Sequence, residues 1–346
     1  MNLISTRYAF TSAYLKGEES RCVSADHVDW MMQKSTMQDA LEVIENTDIG
    51  DYLRGQPIKT FDEVDEHLWK YLGVCLKRLE RFKPPSEIIR LADAYIKKYD
   101  ILNIKIAMRM VLREKPTPVV LLGVIYDQGY LEKLLSIKSV DEIAEIVVIC
   151  NLGDYASIIK DIKENDVRSI FEAEIRLDRM YYESVLSALK KINDGHLVTK
   201  ALGIIIDLLN LQIVFRFILG EKESMVTEFV LEGGYVLSTN TIREFLSLKM
   251  NEIIGRLEHT EYHQLAHEVS KDFEKEGNIT IVDKLIDKLK FQLLKELLSP
   301  RVLSPSNMLW YLILKEWEIR NLRLIFKTMA DGIPPSEIKD HLVIAS

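Results

Sequence analysis

Apolar residues recur at intervals of three and four along most of this chain, and stretches in which apolar and polar positions alternate are few. That pattern predicts an all-α fold. Inside it a longer pattern repeats, because three segments read as copies of one another: Asp100-Ile-Leu-Asn103-Ile-Lys-Ile-Ala-Met-Arg109, Asp207-Leu-Leu-Asn210-Leu-Gln-Ile-Val-Phe-Arg216 and Glu318-Ile-Arg-Asn321-Leu-Arg-Leu-Ile-Phe-Lys327. In each, an acid precedes an Asn by three residues, apolar positions fall at matching offsets, and a base follows the Asn by six.

A second marker keeps step with the first, in Gly50-Asp51-Tyr52, Gly153-Asp154-Tyr155 and Thr260-Glu261-Tyr262. From Asn103 to Tyr155 and from Asn210 to Tyr262 the spacing is 52 residues in both cases. A period near 107 residues is far longer than that of a solenoid repeat, so each copy is expected to be a small helical unit. Breaks near Lys115-Pro116-Thr117-Pro118 and around Gly220 to Ser224 divide the chain into units 1–116, 117–223 and 224–346. The second and third units also share Gly129-Tyr130 and Gly234-Tyr235, which the first lacks. The pentapeptide Pro-Pro-Ser-Glu-Ile, at 84–88 and again at 334–338, reads as a helix start in both places.

Positions three apart lie on one side of a helix, so each marker Asn neighbours its acid and shares a face with apolar residues. Such an amide is expected to be partly buried. Left unpaired it is penalised by about 1–3 kcal/mol, so each Asn should bond a backbone group of a neighbouring helix. The base sits half a turn away from the acid, so the two cannot pair within one helix; the expected reading is one buried polar anchor and two solvated charges, with pairing to a different helix or unit as the alternative.

Composition removes several function classes. The chain has 346 residues, 47% of them hydrophobic, enough for two or three cores of ordinary size. A net charge of -8 without long basic runs argues against nucleic acid and against electrostatic docking on anionic lipid. Cys22, Cys75 and Cys150 form no paired spacing and no signal peptide precedes them, which favours a reducing, cytosolic setting. Ala201 to Leu219 is long and apolar enough to suggest a membrane span, but Asp207, Asn210, Gln212 and Arg216 interrupt it, and its alignment with the other two copies favours a buried helix. No Gly-rich phosphate loop is present, and no nucleophile signature or cofactor site stands out. His259, His263 and His267 have the spacing of a zinc-binding helical stripe, yet Thr260 stands where a metalloprotease helix carries Glu, and the other copies lack the histidines. Trp69, Trp310 and Trp317 fit core positions. By its residues alone the chain reads as a scaffold, with a metal-dependent hydrolase built on the three histidines as the remote alternative.

The segment Glu316-Trp317-Glu318-Ile319-Arg320-Asn321-Leu322-Arg323-Leu324-Ile325 resembles the C-terminal signature of the C subunit of archaeal-type ATP synthases, which is related to the d subunit of vacuolar ATPases. Gly332 to Ile338, the closing Leu342-Val343, Thr47 to Leu53, the Asn103 segment and Tyr8-Ala9-Phe10 fit the same family. The resemblance implies a three-part helical funnel, peripheral on the cytoplasmic face of the membrane, that joins the D- and F-type subunits of the central stalk to the proteolipid ring. It implies a rotor subunit serving ATP synthesis and H+ or Na+ transport, with no catalytic residue, cofactor, metal or small-molecule substrate of its own. An unrelated helical protein-binding scaffold is the alternative.

Overall fold

The computed structural model describes residues 8–81, 84–111, 119–163, 166–190, 192, 195–220 and 229–344. Among them every regular element is helical, as the three- and four-residue periodicity requires. The break expected at 115–118 lies outside the described residues, as does that at 220–224 except for Gly220, which caps the end of the helix 196–219. The chain divides into two compact units, residues 1–54 with 192–346, and residues 55–191.

The unit 55–191 holds α5 (Phe61–Arg81), α6 (Ser86–Val111), the short α7 (Val124–Asp127) and α8 (Leu131–Ser136), α9 (Val140–Ile149), α10 (Gly153–Lys160) and α11 (Val167–Leu189). Helix α6 is its centre, packed on α7, α8, α9 and α11. Trp69 of α5 meets Tyr99 of α6 edge-on at 5.7 Å, so Trp69 is core as its apolar neighbours imply.

The other unit begins with α1 (Ala9–Glu19), α2 (Ala25–Met31), α3 (Met37–Val43) and α4 (Asp48–Leu53). It resumes with α12 (His196–Leu219), α13 (Thr239–Phe245), α14 (Met250–Leu257), α15 (His263–Glu276), α16 (Thr280–Leu298), α17 (Pro305–Asp331) and α18 (Pro335–Ile338). Helix α12 is the one described helix long and apolar enough to cross a membrane. Much of its apolar surface is buried: Ile204, Leu208, Leu211, Val214 and Phe215 sit in a core with residues of α13 to α16, while Ile205, Leu209 and Ile213 are half-buried. Helix α17 packs on both α16 and α1, burying Trp310 and Trp317.

Local chemistry sets the helix ends. Ser24, Thr36 and Thr47 accept the third backbone N–H of α2, α3 and α4, and Ser139 and Ser238 do so for α9 and α13. Both Pro-Pro-Ser-Glu-Ile segments start helices, α6 at Ser86 and α18 at Pro335. Helices α15 and α17 end on left-handed Gly277 and Gly332.

Candidate functional site

The marker acids and Asn residues of α6, α12 and α17 are buried, and each Asn spends both ends of its amide on one backbone residue. Asn103 donates to Val120 O at 2.8 Å and accepts from Val120 N at 3.0 Å. Asn210 does the same with Leu231, at 3.0 and 2.8 Å. Asn321 does it with Val343, at 2.6 and 3.1 Å. The partner is therefore non-helical backbone later in the chain, not a neighbouring helix as expected. Such backbone needs this more than a helix does, since helical backbone groups are already paired.

The acid three residues earlier also holds backbone N–H groups, just past the Asn-bound residue in the first two copies and near the start of the chain in the third. Asp100 accepts from Val124 N at 3.0 Å and Ile125 N at 2.9 Å. Asp207 accepts from the N–H groups of Tyr235, Val236 and Leu237. Glu318 accepts from Val23 N at 2.7 Å, and its second oxygen takes the ammonium of Lys315 at 3.0 Å. Lys315 is fully buried, with Asp48 4.0 Å away, so the charge is balanced where water cannot reach it.

These carboxylates are buried. Burial pushes Asp100 up to about 6, against the pull of its two N–H donors, and burial raises Asp207 as well. A marker tyrosine completes the second clamp: Tyr262 Oη donates to Asp207 at 2.8 Å, and burial together with that carboxylate pushes its phenol up. Burial likewise raises Tyr155, against a hydrogen bond with Ser184, while Asp154 and Asp100 add to the rise. Tyr155 and Tyr262 thus each sense the acid 55 residues before them in the chain. Tyr52, on α4, is half-buried.

The shared Gly-Tyr pair does not mark matching places. A Cβ on Gly234 would run into the Asp207 carboxylate, and one on Gly123, whose φ is +108°, would stand 2.5 Å from Asp100 Oδ1. Gly129 faces open space. The counterpart of Gly234 is therefore Gly123, three residues past the Asn-bound backbone in both cases, and not the Gly129 of the shared Gly-Tyr pair.

The bases divide two to one. Arg109 forks onto Glu174 of α11 at 2.7 and 2.6 Å, and Arg216 onto Asp283 of α16, so both clasp the marker helix to another helix. Lys105 and Gln212, two residues after their Asn, reinforce the same contacts through Asp178 and Asp283. Lys327 instead pairs with Asp331 on its own helix, at 2.8 Å.

The histidines do not form one stripe. His259 lies in the turn after α14, and only His263 and His267 share α15, ring centres 4.6 Å apart. Among the described residues no cluster of three or more His, Cys, Asp or Glu side chains could hold a metal. A cleft of about 610 Å³ between α16 and the C-terminal segment is lined by Lys288, Gln292, Lys295 and Glu296, three of them exposed at the surface.

The sequence matches the family model described as ATP synthase (C/AC39) subunit over residues 11–341. It is 24% identical to the A-type ATP synthase C subunit of Methanocaldococcus jannaschii, across 97% of this chain and 86% of that protein. It is 26% identical to the protein of the same name from Methanococcoides burtonii, across 98% and 95%. The C subunit of the Pyrococcus abyssi A-type ATP synthase is 24% identical, across 97% and 90%.

Proposed function

The chain belongs to the ATP synthase (C/AC39) subunit family, and from that premise we propose that it is the non-catalytic adaptor of an A-type rotary ATP synthase, joining the central stalk to the membrane proteolipid ring. In this reading its partners are D- and F-type stalk subunits on one side and the ring on the other. It sits at the cytoplasmic face of the membrane as a peripheral protein and passes torque between ATP turnover and H+ or Na+ transport. Three pseudo-repeated units, 1–116, 117–223 and 224–346, build a funnel that receives the stalk. The marker residues hold that architecture and do no chemistry.

The observation that carries the reading is the family match across residues 11–341. The use of the marker groups supports it: Asn103, Asn210, Asn321, Asp100, Asp207 and Glu318 are buried and engaged with the chain's own backbone. An adaptor needs stiffness more than reactivity, and densely packed helices with pinned linkers have low compressibility. Affinity purification of the tagged chain from gently solubilised membranes tests the proposal. Stalk subunits and proteolipid should come down together with it; recovery of the chain with neither would refute the adaptor role.

A further inference from the structure

We propose that the third clamp is a seam closed by the two ends of the chain, with Leu342 to Ile344 acting as a detachable strap beside the N-terminal helices on α17. In the first clamp one continuous linker does two jobs, offering Val120 to Asn103 and, four and five residues on, Val124 and Ile125 to Asp100. The second clamp is built alike, with Leu231 on Asn210 and Tyr235 to Leu237 on Asp207. In the third the jobs are divided. Val343, near the C-terminus, serves Asn321, while Val23, near the N-terminus, serves Glu318. What is covalent in two clamps is only contact in the third.

The seam leaves a trace in the packing. Cys22, Val23, Glu318, Asn321, Val343 and Ile344 surround a pocket of about 20 Å³, room for roughly one water where a linker would otherwise run. The strap is lightly held. Leu342 and Val343 are buried, but Asp331 to Ile333 and Lys339 to His341 before them are exposed. Few buried apolar contacts hang on an exposed lead, which is the profile of a segment that opens locally before the rest unfolds. The N-terminal side has its own attachments to α17, from Asn307 to Ser12 O and from Trp310 to Glu19. Opening the strap therefore bares the Val23–Glu318 bond first. The use of such a seam during assembly rests on the adaptor reading; the seam itself does not.

Amide hydrogen exchange on the isolated full-length chain and on a chain ending at His341 tests this without any partner subunit, so its failure leaves the adaptor role untouched. Protection at Val23 should fall by about tenfold or more in the shortened chain, while Val124, Ile125 and Tyr235 to Leu237 stay unchanged. Val343→Pro provides a second variant, removing the one N–H that Asn321 accepts. Leu342 already has the extended backbone, φ -77° and ψ 136°, that a following proline favours. It should weaken protection at Val23 in the same direction. Unchanged protection at Val23 in both variants overturns the proposal, as does a uniform loss at all three clamps, which would show global destabilisation and no separate strap.

Discussion

A buried amide that satisfies both polar groups of one backbone residue strands both of them when it is replaced by an apolar side chain. Asn103→Leu would bury the N–H and C=O of Val120 with nothing to meet them, at a cost of about 1–3 kcal/mol. Asn321→Leu does the same to Val343. Each should lower the melting temperature by several degrees in a thermal scan with the helical far-UV spectrum intact at 25 °C. Asp100 gives a pH signature of definite sign. Its folded pKa, about 6, lies above the ordinary carboxylate value near 4, so the folded state binds the extra proton between those limits. Its contribution is therefore full below about pH 4 and is lost as pH rises through about 6, a change on the order of 3 kcal/mol. Carboxyl-carbon NMR should show an Asp titrating near 6 whose resonance vanishes in Asp100→Ala. The burial of the Asn was legible from the apolar positions that share its face, but that of its acid was not, since a charge on a helix reads as solvated until the backbone N–H groups that meet it are known. Nor were the partners of the Asn, because the bonded residue lies 17, 21 or 22 positions beyond it and so keeps no fixed register.

At the scale of elements, the linkers after α6 and α12 are shaped by the carboxylates they receive, and Gly123 is where that shows. Gly123→Ala would meet two penalties, a left-handed φ of +108° and a Cβ 2.5 Å from Asp100 Oδ1. Gly129→Ala meets only the first, at φ +76° with open space around it. Chemical denaturation should find Gly123→Ala more destabilising than Gly129→Ala. Asp100→Ala should absorb part of that difference in a double-mutant cycle, since it removes the atom the new methyl strikes. Helix existence was readable from periodicity, and the Pro-Pro-Ser-Glu-Ile starts from Pro and Ser chemistry. The histidine stripe was not, for spacing by four places residues on one face only if the helix is continuous, and it ends at Leu257 and restarts at His263. Helical geometry separates each base from the marker acid of its own helix, but Glu174 and Asp283 lie 65 and 67 residues away and no local rule names them.

For the whole molecule, the most specific legible signal was the match of motifs in order and spacing, and it led to the family matched across residues 11–341. Periodicity alone leads to helices and no further, because a helix that transmits torque and one that merely packs have the same apolar faces. What separates an adaptor from a catalyst is where its polar groups go. The marker polar groups of α6, α12 and α17 go to backbone or to ion pairs within the chain. If the chain couples and does not catalyse, its removal takes no catalytic group from the ATP-hydrolysing headpiece. Headpiece prepared without it should hydrolyse ATP at the rate of headpiece prepared with it. Ion pumping into proteoliposomes driven by that hydrolysis should vanish, and should return when the purified chain is added back. The Asn321→Leu chain, folded but less stable, should restore pumping only partly as temperature rises, with headpiece turnover unaffected throughout. Loss of headpiece hydrolysis when the chain is omitted, or ATP hydrolysis by the purified chain alone, would place it among the catalytic subunits and defeat the adaptor reading.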